Sequence, residues 1–217
     1  AWDLRLPAPD AIDLSTPEFV PPWAGPSMGP LTAPGIYSAQ LFVFADGEAS
    51  PLAEAQEFAV KPVRDAANGI DYAEVANYQQ ETAGLMVQIN HAGEELGRTQ
   101  ELLRHMKAAA VAAPRAGPAL ITRLDAFGAE LTGLKTRLNG DPVRGRLDEA
   151  SSPSIRGRAY NAANTWQSTQ SATATQRTDF RIAKQDFAGF SDDLKKLLTG
   201  LEQLEAELSA AGAPSWR

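Results

Sequence analysis

The sequence predicts an α+β chain, mostly helical: a small β-sandwich followed by an elongated, antiparallel up-and-down helical bundle of coiled-coil character. Three observations predict it. Apolar residues recur at spacings of three and four through most of residues 70–211, the signature of helices that bury one stripe. Residues 2–62 instead alternate with period two between prolines and glycines, as half-buried strands do. Composition also changes near residue 63. The first 63 residues hold ten of the 15 prolines and eight acids against Arg5 and Lys61, whereas the remainder has 19 acids and 18 bases. A boundary at 63 divides a β unit (1–63) from a helical unit (64–217).

In the β unit, "AWDLRLP" sets Trp2, Leu4 and Leu6 against Asp3 and Arg5 and reads as a strand closed by Pro7 and Pro9. A loop over 10–30 follows, whose Phe19, Val20, Trp23 and Met28 are expected to fold back as a plug. Pro34-Gly35 suits the centre of a type II turn. Leu41–Phe44 is apolar on both faces, which predicts a covered, central strand. Asp46-Gly47 signals a hairpin with a loop running on to Pro51, and Gln56, Phe58 and Val60 return on one face until Pro62.

The helices are expected at about 70–113, 119–139, 154–171 and 175–211. The first carries Val75, Tyr78, Thr82, Leu85, Ile89, Ala92, Leu96, Thr99, Leu103, Met106 and Ala110 as a sustained heptad stripe. Pro114, Gly117 and Pro118 break it. The second bears Leu120, Leu124, Phe127, Leu131, Leu134 and Leu138 and ends at Asn139-Gly140, a left-handed cap. Ile155, Ala159, Ala162 and Trp166 mark the third. The fourth opens on a Thr173/Gln176 capping box, runs from Phe180 to Leu208 and stops at Gly212 and Pro214.

Chemistry is sparse. There is no cysteine, so neither disulfides nor thiolate catalysis are available. A net charge of −7 argues against a nucleic-acid footprint. No apolar run is long enough to span a membrane, and no signal peptide is recognisable. Because "WDLRL" already reads as a strand at Ala1, the chain is expected to be an excised or processed piece. His91 with Glu95, and Glu101 with His105, have the spacing of paired metal ligands. Both histidines fall two places after stripe positions, so a solvated helix face accounts for them. No carboxylate pair stands out as a glycosidase couple. "DDLKK" (192–196) reads as an ion-pair face, and Trp216 as packing on the helix ends. "TWQSTQSATATQ" (165–176) is a polar interhelical network, a partner surface, or a closely packed, weakly apolar helix turning into a cap; the last reading is preferred. No catalytic, cofactor-binding or metal-binding residue is assigned.

The order "WDLRLP" (2–7), "WAG" (23–25), "GPL" (29–31), "APGIY" (33–37) and "EFAVKPVR" (57–64) resembles a C-terminal module of bacterial sortilin-like proteins. Those are β-propellers with Asp-box (BNR) repeats, commonly labelled glycosyl hydrolases. The strand-turn-strand part is also similar to the Ig-like insert of flagellar hook-cap proteins. The specific motifs lie in residues 2–64, where Ile36 and "KPVR" depart from the pattern. The resemblance implies an Ig-like β unit, and packing or turn roles for Trp2, Gly35 and Tyr37. It also implies a secreted or periplasmic setting, and a non-catalytic spacer or interaction arm whose first partner is an upstream propeller. The alternative is an accessory part of a glycoside hydrolase with its active site in that propeller. A protein partner, or a second copy bound through the helices, completes the expected partners.

Overall fold

A computed structural model of the chain describes residues 2–10, 19, 21–23, 25, 28–62, 69–166 and 168–215. It is an α+β chain, mostly helical, with antiparallel strands preceding the helices. Among the described residues four strands lie in one stretch: β1 (Gly35–Ala39), β2 (Phe42–Ala45), β3 (Glu48–Pro51) and β4 (Gln56–Val60). β1 pairs with β4, with Tyr37 opposite Phe58, and β2 pairs with β3, with Ala45 opposite Glu48. Two residues, Gln40 and Leu41, separate β1 from β2, but four, Leu52–Ala55, separate β3 from β4. Residues 35–60 are therefore one long hairpin with a bulge in the return strand.

Several local expectations give way here. Asp46 (φ 53°) and Gly47 (φ 84°) form a two-residue turn of the mirror-image kind that matches strand twist. The loop does not run on to Pro51, which belongs to β3. Gly35 is the first residue of β1 and has no left-handed φ, so Pro34-Gly35 is not a type II turn. Residues 2–6 are no regular strand. Leu4 has φ 62°, which breaks the alternation, and a single bridge joins Arg5 to Leu31. Leu41–Phe44 is uncovered: Phe42 is 52% and Phe44 75% exposed. Phe19 and Trp23 do not form a plug either, at 71% and 83% exposed, and Val20 lies outside the described residues.

Among the described residues five helices follow: α1 (Tyr72–Ala112), α2 (Pro118–Asn139), α3 (Pro142–Arg146), α4 (Ile155–Ala163) and α5 (Ala174–Ala210). Their ends follow from side chains. The Asp71 carboxylate accepts from the Ala73 and Glu74 amides, and Ser154 from that of Gly157. Thr173 and Gln176 form the reciprocal box. At the close of α5, Gly212 (φ 75°) lets its own amide reach Ser209 O and that of Ala213 reach Leu208 O, a Schellman stop. Gly140 ends α2 with φ 91° and ψ 170°, a mirror-extended conformation rather than the left-handed helical one expected. The third predicted helix stops at Ala163, well short of 171, and the short α3 occupies part of the loop before it.

Cross-helix pairs fix the layout. Along α1 from its start, Gln79 meets Thr165, Ile89 meets Arg156, Gln100 meets Lys135 and Lys107 meets Asp125. Along α5, Arg177 meets Glu74, Asp193 meets Arg137 and Glu207 meets Arg123. α1 and α5 thus run parallel, and α2 and α4 run against both, one beyond the other, as a single interrupted rod. The cross-section holds three rods rather than four alternating helices. All eleven predicted stripe positions of α1 are buried, and seven of them, from Leu85 to Ala110, share one apolar core with Leu124, Phe127, Leu131 and Leu138 of α2 and with Phe190, Leu197, Leu204 and Leu208 of α5. At 1.5 Å per residue, the 41 residues of α1 extend about 60 Å. Among the described residues, no helix is long and apolar enough to cross a membrane.

Candidate interaction surface

The hairpin is tied to the rods through the N-terminal segment. Tyr37 and Phe58, opposed across β1 and β4, pack edge-on against Trp2 with ring centroids 5.6 and 6.1 Å away. The Trp2 indole N–H donates to Arg5 O at 2.8 Å, and the Tyr37 hydroxyl to Ala33 O at 2.8 Å. "GPL" is the complement of "WDLRLP". Leu6 N donates to Pro30 O, Thr32 N to Leu4 O, and Pro30 is fully buried. The chains approach so closely at Gly29 that a Cβ there would lie 2.0 Å from Leu6 O. Arg5 then closes the clasp, donating to Gly29 O at 2.9 Å and to Trp166 O, beyond α4, at 3.1 Å. Asn90 of α1 donates to Pro9 O.

Where the clasp meets the rods, buried polar groups join α1 to the turn after α4. The Gln79 amide donates to Thr165 O (2.8 Å) and Ser168 O (2.9 Å), and the Trp166 indole to Thr82 Oγ1 (3.0 Å). The Tyr78 hydroxyl donates to Ala162 O, and burial pushes its pKa up to about 12. Thr165, Trp166 and Ser168 thus belong to a polar network, and the preferred reading, a closely packed helix turning into a cap, does not hold for them because α4 ends at Ala163. Of the halves of this network on α1, Thr82 stands in the predicted stripe as a weak member, whereas Gln79, buried beside it, falls outside that stripe and is a residue the sequence reading missed. Further along, Arg156 is held by three neutral oxygens: Ile89 O, Asn90 Oδ1 and Asn139 Oδ1. Burial lowers its pKa.

Beyond the clasp, no strand shares an extended packing face with any helix among the described residues. The hairpin exposes Ile36, Leu41, Phe42, Val43, Phe44 and Leu52. In β2–β3, Phe42 and Phe44 share one face with their partners Pro51 and Ala49.

The remaining candidates are brought into no such concentration. His91 and His105 are both exposed, and His105 Nε2 lies 3.1 Å from Glu101. No group of three potential metal ligands occurs among the described residues. Glu95 pairs with Arg98, and Asp192 and Asp193 pair with Lys195 and Lys196. Asp193 also meets Arg137, whose hydrogen bond is the main reason its pKa is lowered. A cleft of about 250 Å³ between the clasp and α1/α4 is lined by Met28, Met86, Tyr160 and Trp166, with Arg5 and Asn90 at its wall. Trp216 lies outside the described residues.

The fold thus defines an α+β, mostly helical class with a strand hairpin clasped to helical rods. Compared with family models, curated proteins and solved structures, the chain matches none of them.

Proposed function

We propose that this chain is a non-catalytic accessory module, a spacer and interaction arm of a larger sortilin-like, BNR-repeat propeller protein. In this reading the hairpin is the counterpart of the module's Ig-like part, and the rods are its elongated bundle. The observation that carries it is a division of labour between surfaces. On the rods, many charged side chains are engaged in ion pairs, while large apolar groups lie uncovered on a hairpin free of helix packing. Among the described residues seven of the 17 exposed large apolar side chains lie on this one hairpin, and adjoining apolar groups of that kind mark a contact surface. The resemblance supplies the upstream propeller as the first partner, with a secreted or periplasmic setting.

The test is a glycan panel assayed with this chain alone and with a protein that includes the upstream repeats. The chain alone turns over nothing. Hydrolysis by the chain alone would overturn the reading, and hydrolysis by the longer protein alone would favour the accessory part of a glycoside hydrolase.

A further inference from the structure

The outer edge of β2 is open and has a specific chemical character. Across a two-residue turn the closing pair, Ala45 and Glu48, exchanges hydrogen bonds, and every second pair outward does the same. Leu52 N donating to Leu41 O at 2.8 Å keeps that parity. The N–H and C=O groups of Phe42 and Phe44 therefore point away from β3, and among the described residues no strand pairs with them. The opposite edge is blunted: the outward-facing residue across from Phe42 is Pro51, which has no N–H. Charge is equally one-sided. Residues 31–60 contain Asp46, Glu48, Glu54 and Glu57 and no Lys, Arg or His. All four acids are exposed, and no ion pair among the described residues holds any of them.

We propose that the outer edge of β2 is a strand-addition site for an extended polypeptide segment that alternates apolar and basic residues. The partner's backbone pairs with Phe42 and Phe44, and its apolar side chains lie beside the Phe42–Phe44–Ala49–Pro51 face. Its basic side chains reach toward Glu48 on the other face and Asp46 at the turn. A second copy of the same edge would bring like charges together, which disfavours it as the occupant. The proposal rests on the reading of the chain as an interaction module. Its failure would leave that reading standing, since hydrolysis by the chain alone is decided by a separate assay.

The probe is a six-residue Lys-Val alternating peptide, blocked at both ends and fluorescently labelled, titrated with the full chain. A Glu-Val peptide of equal length is the comparison. Saturable binding of the first, at least about tenfold tighter than the second, is expected. Phe44→Pro removes an outward N–H without breaking a ladder bond, and it is expected to weaken binding by about tenfold or more. Amide exchange at Phe42 and Phe44, but not at the already paired Val43, slows on peptide addition; this readout holds even if the proline variant distorts the hairpin. No binding, equal binding of both peptides, or unchanged exchange at Phe42 and Phe44 would overturn the proposal. So would concentration-dependent protection of those two amides without peptide, which would assign the edge to a second copy.

Discussion

Gly29 sits where two backbone segments nearly touch, so its lack of a side chain is structural. With Leu6 O 2.0 Å and Pro7 O 2.4 Å from an added Cβ, neither neighbour can yield without breaking the clasp. Gly29→Ala is expected to destabilise the N-terminal segment by about 2–3 kcal/mol, measured as lost amide protection at Leu6 and Thr32 with the rods unaffected. Tyr78 gives a pH signature. Its folded pKa of about 12 lies above the unfolded value near 10, so the folded state holds the proton more tightly. Its contribution is complete below pH 10 and is lost as pH rises towards 12. Tyr78→Phe flattens that alkaline decline in chemical denaturation, while an unchanged slope would show that the hydroxyl does not titrate as described. Gln79 acts at the same joint through two hydrogen bonds. Gln79→Met leaves the Thr165 and Ser168 carbonyls without their donor and is expected to cost about 1–3 kcal/mol, read from the urea midpoint.

At the scale of elements, the rods and the hairpin were unequally legible in the sequence. The α1 stripe was readable because every third or fourth residue had to enter one core, and period 3.6 has no other common cause. The end of α4 was not. Thr165 and Ser168 serve equally in a weak helix or a turn, and the choice was made by Gln79 and Thr82 on another helix, beyond any local pattern. Three rods rather than four alternating helices were hidden for a related reason: the loop between Asn139 and Ile155 looks like a reversal, but α4 continues in the direction of α2. The hairpin misled in the opposite sense. An apolar run such as Leu41–Phe44 is written the same way whether the strand is covered or displays a contact surface. Pro51 suggested a loop, yet proline is tolerated in β3 because its nitrogen faces outward. The pairs in the rods also set the sensitivity of each element. Phe190→Ala, at a fully buried site on α5, is expected to cost about 3–5 kcal/mol, visible as a lowered melting temperature of the whole helical signal.

In the whole molecule, a stiff set of parallel and antiparallel rods is joined to a hairpin through the clasp. Arg5, Trp166 and Asn90 form polar bonds across that joint, while the rods keep their own continuous core. The central claim is the extended arm, and small-angle scattering on the full chain at several concentrations tests it most directly. A compact fold of 217 residues has a radius of gyration of about 17 Å. Rods of about 60 Å with a hairpin clear of their sides predict a value above about 20 Å, with a distance distribution tailing past 60 Å. A radius of about 17 Å with a symmetric distribution would contradict the account.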